Sequence, residues 1–322
     1  MGISKSNINI TKLIIILIMA VFIAGCSIYK DRDSVEVTGM LEDASAVSLM
    51  LSEKPVIELP RRFFYPGEFF TVAVSKLSDY DRVFISTPLA SRTPVMYDYK
   101  DKKICFIGID YRTQVRDFPL KIQVMRNNII VSELNASIGI MKKDFEKQYL
   151  QVTEEQKELR TNDSKLKEDA EHVIAAKSAT HPEPQWDGSF IKPNDGRLST
   201  GFGVIRYIND QENGRHSGLD IAAPTGTKVK AANSGRVKLG MMLNITGNTV
   251  IIDHGANIFS AYAHLDRILV KSGQYVKKGE IIGEVGSTGF STGPHLHWTI
   301  SVGSVYVDPN LFMERDPLEL IE

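Results

Sequence analysis

The sequence predicts a mainly β protein, with two β-domains joined by a helix, and three observations carry that expectation. Between Pro55 and Ile140, short runs of β-branched and aromatic residues alternate with turn signals. From Trp186 onward the chain is rich in glycine and short strand-like runs, with no helical period of useful length. Residues 142 to 178 change to a helical composition. At 322 residues the chain can hold two domains with ordinary cores, and 43% hydrophobic and 24% charged residues are those of a folded protein. A net charge of −1 provides no global basic field, so no nucleic-acid partner is expected.

The first 25 residues read as a lipoprotein signal peptide. Lys5 and Lys12 precede the apolar run Leu13 to Gly25, which is too short for a comfortable membrane span and right for a signal-peptide core. The run ends in "IAGC", Ile23 to Cys26, which resembles a bacterial lipobox. That resemblance implies cleavage before Cys26, lipid on its sulfur, and an exported protein held on a membrane surface facing the cell wall. Residues 26–54 are polar and weakly patterned, as in a lipid-anchored tether. With only Cys26 and Cys105 there is no disulfide framework and no cysteine-based metal site. Cys105, within "KKICFIG", is expected to be a buried core thiol.

Residues 55–141 contain six or seven strand-like segments, among them "EFFTVAVS", "KICFIGIDY" and "LKIQVM". Asn127-Asn128 marks a tight turn between two of them. Such density argues for a small β-sandwich, immunoglobulin-like in character. It carries no cluster of histidines or carboxylates, and it reads as a spacer or as a docking module for an unidentified protein partner. In the helical linker, 142–185, Phe145, Val152, Leu159, Leu166 and Val173 recur every seven residues, while the intervening positions are mostly polar. One thin apolar stripe suits a helix lying against a domain better than a coiled coil. His172 and His181 are expected to be solvated, and "HPEP" ends the helix.

Residues 186–322 form the domain that carries chemistry. Four of the seven histidines fall into three short motifs, two of which contain glycine. "GRHSGLD" holds His216 and Asp220 at spacing H-x-x-x-D, "YAHL" holds His264, and "GPHLHW" holds His295 and His297. Two imidazoles and one carboxylate would leave a fourth tetrahedral position open, the pattern of a catalytic rather than a structural zinc site. On a strand, His295 and His297 point to one face with Cα atoms about 6.5 Å apart. His297 can then bind the metal while His295 points at what the metal binds. No H-E-x-x-H occurs, so a proton acceptor must come from elsewhere, and His264 and His295 are the candidates. His254, in "IDHG", sits at a strand end and is read as structural.

In this order the three motifs resemble the lysostaphin/LytM family of peptidoglycan zinc metallo-endopeptidases, across roughly Leu198 to Pro309. The resemblance implies a lysostaphin-like antiparallel β-domain and hydrolysis of peptide bonds in peptidoglycan cross-links. It implies Zn2+ held by His216, Asp220 and His297, with His264 and His295 as catalytic histidines. Departures are confined to Ile205, where relatives often carry a second arginine, and to "HWTI" in place of "HFE"; both bear on substrate contacts.

Two other functions compete with this one. A LytM-like domain without catalysis could act as an activator or binding protein for another wall hydrolase, but such proteins are expected to lack ligands, and none is missing here. "KAANSGRVKLG" and "VKSGQYVKKGEIIGEVG" look like half-repeats of a biotinyl or lipoyl carrier, yet no lysine stands at a hairpin tip with the flanks a carrier needs.

Overall fold

A computed structural model describes residues 53–150, 162–208 and 211–320. The apolar run Leu13 to Gly25, Cys26 and nearly all of the tether lie outside the described residues, as do Val152 and Leu159 of the heptad stripe.

The N-terminal region contains β1 (Val56–Glu58), β2 (Phe63–Phe64), β3 (Phe69–Ser75), β4 (Asp81–Ser86), β5 (Tyr97–Tyr99), β6 (Lys102–Gly108), β7 (Asp117–Arg126) and β8 (Ile129–Ile140). They form two four-stranded sheets, ordered β1-β3-β6-β5 and β2-β8-β7-β4. The sandwich core is made by Phe70, Val72, Val74, Cys105 and Ile107 from the first sheet and Leu120, Ile122, Val124 and Ile138 from the second. In β7 the buried residues alternate strictly, since its other face meets solvent. Every residue of β3 is buried, because its second face packs elsewhere. Phe69, Ala73, Ile104 and Phe106 join a core that also contains Trp186, Phe190, Trp298 and Phe312. That double burial explains the unbroken apolar run of β3. Asn127 and Asn128 both adopt positive φ, the mirror-image turn that a two-residue hairpin favours. Cys105 is buried, and burial pushes its thiol up to about 12.

The linker departs from the expected helix. Residues 147–150 form β9 (Lys147–Leu150), which pairs in parallel with β11 (Ile205–Ile208). Extended chain wins here because β11 offers an open edge and Phe145 has a packing site. A Cβ at Gly203, whose φ is +80°, would overlap the Phe145 ring, and the Arg215 guanidinium lies 5.0 Å from the centre of that ring. The helix α1 spans Asp163–Ala176, with Asn162 as its N-cap accepting from the Lys165 N–H. It lies against the C-terminal domain, where Val173 and Ala176 pack on Leu239, Leu243, Ile251 and Phe259.

Among the described residues, the C-terminal domain is built on a ten-stranded sheet. Its path runs through β10 (Arg197–Thr200), β13 (Leu219–Ala222), β20 (His295–Val302), β17 (Ile258–Ile268), β16 (Gly247–Asp253), β15 (Gly235–Leu243) and β18 (Tyr275–Val276). β14 (Lys228–Lys230), β19 (Ile281–Val285) and β21 (Val305–Val307) attach to it, and β12 (Gln211–Arg215) pairs with β11. A mainly β fold with an upstream β-sandwich agrees with the sequence expectation.

Candidate active site

Three neighbouring strands position the site. The antiparallel register of β13 and β20 sets Asp220 opposite His297 and Ala222 opposite His295, while β17 sets Ala263 opposite His297. Within β20, Leu296 and Trp298 are fully buried and His295 and His297 face the other way, so strand alternation delivers both imidazoles to one groove. Gly218 permits the close approach of β13 to β20, since a Cβ there would overlap the Trp298 carbonyl oxygen. The groove encloses about 490 Å³ and brings together all five residues singled out from the sequence.

The orientation of each ring follows from its backbone partner. His216 donates from Nδ1 to the Gly201 carbonyl at 2.7 Å, which leaves a lone pair on Nε2. That atom lies 2.8 Å from Asp220 Oδ1 and 2.9 Å from His297 Nδ1, and His297 Nδ1 is 2.7 Å from the same Oδ1. Three atoms that each carry a lone pair thus converge, and a single proton on His297 Nδ1 could bridge only part of the triangle. His216 and Asp220 are almost wholly buried, where unpaired lone pairs are costly. Burial lowers His216 to about 4, keeping the imidazole neutral at pH 7. Burial opposes the charge on Asp220, but its hydrogen-bonding contacts within the site outweigh it and hold the carboxyl well below the usual carboxylate range. Imidazole nitrogens and a carboxylate oxygen are the donors a divalent metal ion takes, so the residues fit such a group.

His264 and His295 lie beside this triangle. His264 donates from Nδ1 to the Thr288 carbonyl at 2.8 Å, and His295 donates from Nδ1 to the Gly293 carbonyl at 2.8 Å. Each thus turns its Nε2 towards the groove; that of His295 is 3.7 Å from Asp220 Oδ1. The two rings lie 4.8 Å apart, centre to centre. Burial, reinforced by the neighbouring imidazoles of His297 and His295, lowers His264 to about 3.

Two residues of the groove escaped the sequence reading. Arg206, on β11, donates from Nη2 to Asp220 Oδ2 at 2.7 Å. Gln148, on β9, lines the groove because the segment expected as helix is a strand. Arg206 stands three residues after the "GFG" segment, but its pairing across 14 residues with Asp220 needs the tertiary fold. His254 is fully buried, with Nδ1 donating to the Ser234 carbonyl and Nε2 2.7 Å from Ser260 Oγ, which matches its structural reading. His181 is not simply solvated as expected: its ring is half-buried and its Nδ1 accepts from the Glu183 N–H, closing the turn that follows the helix.

A β-sheet groove with two imidazoles and a carboxylate converging on one point, and two further imidazoles alongside, forms a candidate metal site with groups beside it that could transfer protons. Residues 214–309 match peptidase family M23, so the chain carries a domain of that family. The peptidoglycan DD-endopeptidase ShyC of Vibrio cholerae serotype O1 is 43% identical over 94 residues, covering 29% of this chain and 22% of that protein. The DD-carboxypeptidase/endopeptidase Mpg of Neisseria meningitidis serogroup B is 43% identical over 113 residues, covering 35% of this chain and 26% of that one. This chain thus spans about a quarter of the length of these curated relatives. A crystal structure of a peptidase M23 from Pseudomonas aeruginosa superposes with a TM-score of 0.55 at 28% identity, over 77% of this chain and 94% of that one. The likeness to that structure therefore extends into the upstream β region.

Proposed function

We propose that this protein is a zinc-dependent endopeptidase that hydrolyses peptide bonds in peptidoglycan cross-links. The observation that carries the reading is the triangle of His216 Nε2, Asp220 Oδ1 and His297 Nδ1, flanked by two histidines whose Nε2 atoms are free to exchange a proton. The similarity to relatives named as peptidoglycan DD-endopeptidases supports the substrate class. His216, Asp220 and His297 would hold zinc, which supplies Lewis-acid polarisation of a carbonyl and acidifies a water.

The chain's own groups do the rest. Thr288 and Gly293 accept from Nδ1 of His264 and His295, presenting both Nε2 atoms to the groove. One takes the proton of the attacking water; the other stabilises the developing oxyanion or protonates the leaving amine. Arg206 holds the second oxygen of Asp220 and so limits rotation of that carboxylate. The full ligand set disfavours a non-catalytic activator. Upstream, the β-sandwich would act as a spacer or docking module, and lipid on Cys26 would hold the protein in the cell envelope, on a membrane facing the wall.

The deciding experiment is mass spectrometry of muropeptides released from defined murein by purified protein, with zinc content measured on the same sample. Release of cleaved cross-link peptides that stops on chelation and returns with zinc is the expected result. Metal-loaded protein that binds murein and cleaves nothing would refute the enzyme reading.

A further inference from the structure

The helix α1 lies outside the residues matched to the family, yet one of its side chains reaches the groove wall. Asp169 is only 8% exposed. Its Oδ1 accepts from the Asn244 backbone N–H at 2.8 Å and from Asn244 Nδ2 at 2.9 Å, and its Oδ2 accepts from the Ile245 N–H at 2.7 Å. Both carboxylate oxygens thus bind the turn between β15 and β16. Charge-assisted bonds of this kind are about twice as strong as neutral ones.

That turn holds His264. The Thr246 carbonyl accepts from the His264 N–H at 2.8 Å, and the Ile245 carbonyl accepts from the Phe290 N–H at 2.7 Å. Just after the turn, the Asn248 N–H donates to Thr288 Oγ1 at 2.9 Å, and the Thr288 carbonyl is the acceptor that orients the His264 ring. His264 itself sits at φ 60°, a left-handed conformation that a non-glycine residue keeps only where its surroundings enforce it. Ile245 and Thr246 also line the groove, and on its other side the same turn borders an apolar cavity of about 680 Å³, walled in part by Leu166, Val173 and Ile174 of α1. Glu168 Oε2 also accepts from Asn244 Nδ2, at 3.3 Å and on the exposed side, but Asp169 is the buried tie and the one that reaches the backbone of the turn.

We infer that Asp169 is a positioning residue for His264: it fixes the Asn244–Thr246 turn, which in turn fixes the backbone and ring of the histidine. The inference rests on the reading of His264 as a proton-transfer group only for its kinetic consequence; the structural coupling is independent of it. Asp169→Asn keeps the size and one acceptor but sets an amide donor against the Ile245 N–H or the Asn244 amide.

In the full chain, 15N resonances of the His264 imidazole are expected to shift in Asp169→Asn, in chelator-treated and zinc-loaded protein alike, while zinc stoichiometry stays at the wild-type value. On a defined muropeptide kcat is expected to fall roughly tenfold or more with KM little changed, the cost of a reacting group displaced by a fraction of an ångström. Asn244→Ala removes the side-chain bonds to Asp169 and Glu168 but leaves both backbone bonds to Asp169, and should move the same resonances by less; it decides the matter alone if Asp169→Asn does not fold. Unchanged His264 resonances and kcat in the folded variants would overturn the inference. A wild-type protein that cleaves no muropeptide would instead overturn the endopeptidase reading, leaving the resonance test intact.

Discussion

Arg206 donates from Nη2 to Asp220 Oδ2 at 2.7 Å, on the side of the carboxylate away from the two histidines. The two oxygens of one side chain are therefore divided between two tasks. Oδ1 completes the lone-pair triangle, and Oδ2 is held by a guanidinium whose side chain is 20% exposed. A carboxylate gripped in this way loses little freedom when it takes a cation, and such supporting partners commonly contribute a factor of about 10 to 100 in metal affinity. Arg206→Ala is accordingly expected to weaken zinc binding by that order, and Arg206→Lys by less, in competition with a chromophoric chelator. Unaltered affinity in Arg206→Ala would remove the residue from the metal site.

The ligand assignment separates from the catalytic one by metal content. His216→Ala, Asp220→Ala and His297→Ala should each lose stoichiometric zinc, whereas His264→Ala and His295→Ala should retain it. The last two should still lose murein cleavage by about 10² to 10⁴, the usual contribution of a proton-transfer or charge-stabilising group. Full metal content in all three ligand variants would disprove the triangle as the metal site. Near-normal turnover in both His264→Ala and His295→Ala would disprove their roles.

The legible parts of this protein are those that local chemistry determines. The H-x-H of β20 follows from strand alternation, since Leu296 and Trp298 had to be buried for His295 and His297 to share a face. The Asn127-Asn128 turn follows from the tolerance of asparagine for positive φ. What stayed hidden depends on contacts distant in sequence. Residues 147–150 have a helical neighbourhood, but pairing with β11 and a slot for Phe145 over Gly203 override it. That single misreading also concealed Gln148 in the groove. Arg206 and Asp169 were invisible for a related reason: each acts through a partner that only the folded chain brings near.

The proposed membrane attachment would rest on Cys26, which lies outside the described residues. Acyl chains contribute roughly 0.8 kcal/mol per buried CH₂, and residues 27–54 contain no second membrane-binding stripe to replace them. Cys26→Ala should therefore leave an uncleaved precursor or release a soluble product, with the catalytic activity of purified protein unchanged. Metabolic labelling with a fatty-acid analogue followed by fractionation checks this. Wild-type protein that takes up no label would exclude lipidation and leave an unmodified signal anchor.

Stability should depend on pH through histidines that are buried neutral. Burial lowers His254 to about 4, against an ordinary value of 6.5, and its Nδ1 and Nε2 both have fixed partners inside the fold. As pH falls below about 6.5 the unfolded chain takes up a proton that the folded one refuses, so unfolding becomes easier with each step down. The effect is absent above about pH 7 and levels off near pH 4, where the folded state also protonates. A shift of that size corresponds to about 3 kcal/mol for His254. His216 and His264, lowered to about 4 and about 3, should add to the same slope in metal-free protein. Urea denaturation in the presence of a chelator, at pH 7.5 and at pH 5, is expected to show a clear loss of midpoint at the lower pH. His254→Gln should be less stable at pH 7.5, because buried partners on Ser234 and Ser260 lose their geometry, yet its midpoint should fall less between the two pH values. A variant with the same pH slope as wild type would mean that His254 does not titrate between the two states.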